Sequence, residues 1–129
     1  MAITTYDARN VSVSVGGVII TGFADGTFVE CDTPSERHNT VVGAQGEVSV
    51  GVINDPRGTI KITLKQTSAS LAYLTGIAKS ITPVAIHVAG AGETVSGSQA
   101  KCKKLPAKSF GKDIGDRSFE FEVFDYTVA

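Results

Sequence analysis

A mainly β domain, built as a sandwich or partly open barrel with one α-helix laid against it, is what this sequence predicts. Three observations carry that expectation. Apolar and polar residues alternate over short runs, the period-2 signature of strands with one dry face. The 14 glycines fall mostly between those runs, where turns are needed. Only one stretch, Leu71, Leu74, Ile77 and Ala78, repeats at helical spacing.

In chain order, Val11, Val13 and Val15 alternate with Ser12 and Ser14 and predict the first strand. Gly16-Gly17 supplies a hairpin turn, because glycine accepts the positive φ that two-residue turns require. Val18 to Thr21 returns, Gly22 to Thr27 turns again, and Phe28 to Cys31 forms a further strand. Thr40 to Val42 and Glu47 to Ile53 are two more candidates, separated by Gly43-Ala44-Gln45-Gly46. Asn54-Asp55-Pro56-Arg57-Gly58 is a turn, with Pro setting φ and Asn, Asp and Gly tolerating turn geometry. Ile60, Ile62 and Leu64 then oppose Thr59, Lys61, Thr63 and Lys65 in the clearest strand.

The helix follows, capped by Ser68 or Ser70, weakened by Gly76 and stopped short by Pro83. Val84 to Val88 reads as a strand bounded by the loop Ala89 to Gly92, and Ser98 to Lys103 as another. The closing strand sets Phe119, Phe121 and Val123 against Ser118, Glu120, Glu122 and Phe124. The expected total is about eight strands and one helix, in one domain spanning residues 1–129.

With 42% hydrophobic and 19% charged residues, the chain is too apolar and too weakly charged for a disordered state. A net charge of -1 lacks the Lys/Arg surplus with which duplex-binding proteins neutralise phosphates. The nearest basic cluster, Lys101, Lys103, Lys104 and Lys108, reads as a solvated strand and loop. Met1 to Asn10 is polar, without the apolar core of a signal peptide, and no run of about 20 apolar residues appears. Folding in a cytoplasm without a membrane anchor is the expectation. In that compartment Cys31 and Cys102 are two buried thiols rather than a disulfide.

The residues that carry chemistry are mostly missing. No G-x-S-x-G elbow, H-E-x-x-H pair or P-loop is present, and His38 and His87 have no placed partners in sequence. Gly90-Ala91-Gly92 lacks the third glycine and the helix of a dinucleotide site. Asp113, Asp116 and Asp125 lack the ligand spacing of a calcium loop. Glu120 and Glu122 share a strand face with no cleft to shift their pKa values, which favours surface charge over an acid pair. The reading is of a non-enzyme, with no catalytic residue, metal or cofactor.

Several segments taken in order resemble the tail tube (structural protein) family of contractile-tailed phages. They are Val18 to Glu30 (VIITGFADGTFVE), Gly43 to Val48 (GAQGEV), Asn54-Asp55, Gly58 to Ser68 (GTIKITLKQTS) and Phe110 to Arg117 (FGKDIGDR). Together they span nearly the whole chain. Pro56 and the surroundings of Phe119 depart from the pattern, and Ala89 to Ala107 matches least.

The resemblance implies two packed antiparallel sheets with a flanking helix. It also implies hexameric rings whose inner sheets join around a channel, stacked into a tube inside a sheath. The implied partners are the chain itself, sheath, baseplate and tape-measure proteins, and DNA in transient passage into the host. The implied place is the virion tail, assembled in the bacterial host cytoplasm. Residues 38–57, oversized for a hairpin loop, are expected to be loose in the monomer and to order against the adjacent ring, with His38, Asn39, Gln45, Glu47, Asn54, Asp55 and Arg57 as contacts. Glu120 and Glu122, and less so Glu47, are expected to face the lumen, since an acidic or neutral wall lets DNA slide. The rival readings are the tube of a bacteriocin-like or type VI secretion-like particle, a monomeric β-sandwich binding module, and a small enzyme.

Overall fold

The computed structural model describes residues 3–129; Met1 and Ala2, which open the polar N-terminal stretch, lie outside them. Two antiparallel sheets and one helix make up the fold, as the sequence predicts. After a short 3-10 turn at Ala8–Asn10, the strands are β1 (Ser12–Val15), β2 (Val18–Ile19), β3 (Val29–Asp32), β4 (His38–Val42), β5 (Val48–Val52) and β6 (Gly58–Lys65). Helix α1 (Leu71–Lys79) precedes β7 (Val84–Gly90), β8 (Glu93–Cys102), β9 (Asp116–Val123) and β10 (Thr127–Val128).

The larger sheet has eight strands in the order β2-β1-β7-β8-β9-β6-β3, with β10 paired to β8 off that path. Its two end strands, β2 and β3, do not pair with each other, so the barrel stays open. The smaller sheet is the hairpin β4-β5. Period-2 alternation does what it predicts. Ile60, Ile62 and Leu64 on β6 and Phe119, Phe121 and Val123 on β9 are all fully buried. They meet Val13, Val15, Ile20, Leu74, Ile86, Val88 and Ala100 in one core. Each such side chain contributes roughly 1.5–3 kcal/mol on burial, so this core is the main source of stability. It is drawn from the larger sheet, Ile20 and the helix; the hairpin adds no buried residue.

The turn at Gly16-Gly17 has φ of +60° and +83°, the pair of left-handed positions that a tight hairpin needs. At the helix start, neither predicted serine caps in the usual way. Ser70 occupies the N-cap position without a side-chain cap bond. Its hydroxyl accepts from the Thr21 N–H at 3.0 Å, and the Ser68 hydroxyl donates to the Thr21 carbonyl at 2.6 Å. Both serines fasten the helix to the strand connection below it. Leu74 is buried, with Leu71, Ile77 and Ala78 packed at the edge of the core.

Ten strands form among the described residues against about eight expected, and beyond shifts of one or two residues at other strand ends three differences stand out. The loop predicted at Ala89 to Gly92 shrinks to a two-residue turn, Ala91-Gly92, with β7 running on to Gly90 and Gly92 at φ +83°. Strand β8 begins at Glu93, five residues before the predicted Ser98, because its first half is half-buried on both faces and shows no alternation. Strand β10 is two residues long, below what periodicity can detect.

Strand β8 also carries a bulge. Val84 pairs with Ala100 but Ile86 with Gly97, leaving one extra residue on β8. The Asp125 carboxylate takes up the freed donors, accepting from the Ser98 and Gln99 N–H groups at 3.0 Å and from the Ser98 hydroxyl.

Candidate functional site

The outward face of the larger sheet is a lattice of alternating charge. Antiparallel register sets Lys61 between Glu30 and Glu120, and Thr59 between Asp32 and Glu122. Lys101 stands opposite Glu122, and Lys65 opposite Asp116. The Lys103 ammonium lies 3.9 Å from Glu120 and 3.7 Å from Glu122. Five carboxylates thus share one surface with four lysines. Glu120 and Glu122 do lie opposite Phe119, Phe121 and Val123, but each sits among cations, so the face is nearly neutral rather than acidic. The same face continues across β7 and β1 as Ser96, His87 and Ser14, where His87 is exposed.

Residues 38–57 are organised around an antiparallel hairpin, with His38 opposite Val52, Thr40 opposite Val50 and Val42 opposite Val48. Residues directly opposite each other share a face. One face therefore collects Val42, Val48, Val50 and Val52 with Thr40 and His38, while Asn39, Val41, Ser49 and Gly51 occupy the other. Every residue of both strands is exposed, Val50 by 60% and Val52 by 74%. Gln45 is in the turn, and Glu47 folds its side chain over Gly43. Glu47 is therefore at the hairpin tip, apart from Glu120 and Glu122.

Asn54, Asp55 and Arg57 are at the hairpin base. Arg57 donates to both oxygens of Asp55, at 2.9 and 2.7 Å, and the Ser35 hydroxyl adds a bond of 2.6 Å. Those partners, Arg57 first, hold the Asp55 carboxyl well below the usual carboxylate range. The clamp braces the point where the hairpin leaves the body.

Sequence reasoning missed Arg117. It sits at a core-facing position of β9 and is 1% exposed. Its guanidinium donates to the carbonyls of Asp116 at 2.9 Å and Ser109 at 2.8 Å, with the Phe110 ring centroid 5.3 Å away. It thereby ties down residues 103–115, an irregular strap that crosses from β8 to β9. Gln66 fastens the far end, its backbone N–H donating to the Gly115 carbonyl and its side-chain oxygen accepting from the Gly115 N–H. Strap residues Leu105, Phe110 and Ile114 are exposed, Phe110 by 78%. The signal available in sequence was an arginine at an inward position of an otherwise regular alternation.

Cys31, Ile60, Phe121 and Cys102 form one row across β3, β6, β9 and β8. Two strands intervene between the thiols, roughly 14 Å at the usual spacing, beyond disulfide reach. Both are free and half-buried, and burial pushes each thiol up from its ordinary value. Asp116 pairs with Lys65 and Asp125 with the bulge, so the acidic residues near the C-terminus are dispersed. Among the described residues no three His, Cys, Asp or Glu side chains gather at metal distance, and no helix is long and apolar enough to cross a membrane.

No protein-family model matches the sequence, and no curated protein matches it either. Solved structures do match in fold. A chain from the PVC sheath/tube terminator of an extracellular contractile injection system, in the extended state, aligns at a TM-score of 0.71. It is 13% identical, over 100% of this chain and 99% of that one. A chain from the corresponding sheath-tube complex aligns at 0.67 with 14% identity, over 97% and 91%. The anti-feeding prophage cap, a tube-terminating cap, aligns at 0.63 with 10% identity, over 100% and 93%. By fold, then, this chain shares its architecture, end to end, with chains from sheath/tube terminator, sheath-tube and tube-cap assemblies of contractile injection systems and the anti-feeding prophage.

Proposed function

We propose that this chain is a structural subunit of a contractile tail-like tube, assembling into hexameric rings that stack. The observation that carries this reading is the correspondence in fold, end to end, with chains of sheath-tube and terminator assemblies. The surfaces agree with it. Strands β2 and β3 leave open edges on a sheet that would otherwise close, and pairing with neighbours removes that liability. Head-to-tail contacts of this kind close into rings when the rotation closes and extend into filaments when it does not.

In this reading the charged outward face, with Glu120 and Glu122, lines the lumen. Alternating charge offers a passing polyanion no continuous cationic track to grip. In a phage virion the cargo is DNA moving into the host; in a phage-like injection particle it is of another kind. The three fold matches given above, to an extracellular injection system and a prophage cap, favour the second setting. The tube is enclosed by a sheath in either case, and the chain itself does no catalysis.

A second reading, as a tube-terminating ring, is favoured by the fuller overlap with the terminator chain, 100% and 99% against 97% and 91% for the sheath-tube chain. Negative-stain electron microscopy and sedimentation of the purified protein separate these. Long hollow tubes fit a tube subunit, and isolated rings that bind tube ends fit a terminator. A strict monomer at every concentration sinks both. A structure of the assembled ring with Glu120 and Glu122 turned toward the sheath removes their lumen role.

A further inference from the structure

Strands β6 and β9 run antiparallel for eight residues, with Gly58 opposite Val123 at one end and Lys65 opposite Asp116 at the other. That pair is about 25 Å long. The hairpin rises from the Gly58 end, where Ile53 N–H bonds Arg37 O and Tyr126 N–H bonds Pro56 O. The strap closes the Lys65 end, where Arg117 holds Ser109 and Gln66 holds Gly115. Two exposed apolar patches, the valine face and Leu105-Phe110-Ile114, therefore sit at opposite poles. A chain cannot bring its own pair together.

The poles also carry opposite charge. Residues 33–57 hold three carboxylates and two arginines, a net -1. Strap residues 104–115, beyond Lys103 and its carboxylate partners, hold three lysines and one aspartate, a net +2. The strap is built to receive contact rather than to drift, because the Phe110 ring is backed by the buried Arg117 guanidinium and still leaves 78% of the residue exposed. Complementary charge orients an encounter and apolar contact holds it.

We infer that the valine face of the hairpin of one copy docks on the Leu105-Phe110-Ile114 strap of a second copy stacked end to end with it. The occupant of the strap is thus another molecule of this chain, joined by a heterologous, repeating contact along one axis. This rests on the tube reading and assigns its inter-ring socket.

Charge exchange in the full chain tests it, with assembly followed by sedimentation and electron microscopy. Lys108→Glu with Lys112→Glu, or Glu36→Lys with Glu47→Lys, is expected to convert stacked rings into single rings. All four changes in one chain are expected to restore stacking, which a folding defect would not allow. As a second measurement, a chain carrying both Val50→Cys and Ile114→Cys is expected to give an oxidised ladder beyond dimers, and either change alone no such ladder. Stacking that ignores the reversed strap, or a double-cysteine chain that gives no ladder while still stacking, overturns the socket and leaves the tube reading intact. A wild-type chain that stays monomeric overturns both.

Discussion

The Arg117 guanidinium donates to the Ser109 carbonyl at 2.8 Å from a position at which only 1% of the residue is exposed. This one bond links the core face of β9 to a strap that has no sheet partner for most of its length. Hydrogen bonds from a charged donor contribute about 1.5–3 kcal/mol, and the carbonyls they leave behind lose their partner if the donor goes.

Arg117→Met keeps most of the buried volume and removes those donors. The expected cost is about 2–4 kcal/mol by urea denaturation, with the strap becoming protease-sensitive at Lys104, Lys108 and Lys112 before the body unfolds. Unchanged proteolysis of the strap would show that Gln66 and Gly115 suffice to hold it.

Asp125 sets a pH dependence. The Ser98 hydroxyl first, then the Gln99 and Ser98 N–H groups, lower its pKa from the ordinary 3.8. A value depressed by folding contributes stability that is present above the unfolded value and is lost as pH falls through the folded one. Wild type is therefore expected to melt higher than Asp125→Asn at pH 7, with the gap narrowing below about pH 4. A gap that is constant from pH 7 to pH 2 would assign the difference to geometry instead of charge.

Gly58 is buried at the hairpin end of β6, where an added Cβ would overlap the Tyr126 side chain. Gly58→Ala is expected to destabilise the fold by about 1–3 kcal/mol, the usual range for overpacking. Gly76→Ala, on the open side of α1, has nothing within contact and is expected to stabilise by about 0.5–1 kcal/mol. Thermal melts of the two variants should move in opposite directions.

The hairpin contributes no residue to the core, so its removal separates folding from assembly. Replacing residues 39–51 with a short Gly-Ser turn is expected to change monomer stability by less than about 1 kcal/mol, as surface changes do. Stacking should be lost altogether. Rings that stack normally without the hairpin would remove it from the inter-ring role.

Much of this molecule was legible locally. Alternation at Ile60, Ile62 and Leu64 and at Phe119, Phe121 and Val123 named the core, and glycine placement located the turns. The helix stripe was right to within its caps. These features depend on neighbours in sequence, through the 2.0 and 3.6 periods and the φ preferences of glycine. The exposed apolar surfaces were less legible. Val41, Val42, Val48, Val50 and Val52 read as strands, but nothing local says that a strand will find no layer to cover it.

Composition and periodicity alone determined a β-rich domain with one helix, a dry face on each main strand, and no recognisable catalytic motif. Pairing partners did the rest. Only register places Lys61 beside Glu120 and turns a supposed acidic stripe into a nearly neutral face. Only the path of the strap buries Arg117, and only antiparallel β6 and β9 send the hairpin and the strap to opposite poles. Each of these joins residues tens of positions apart or depends on where a loop returns, and the energy that selects them is burial of a shared core, which no local window contains.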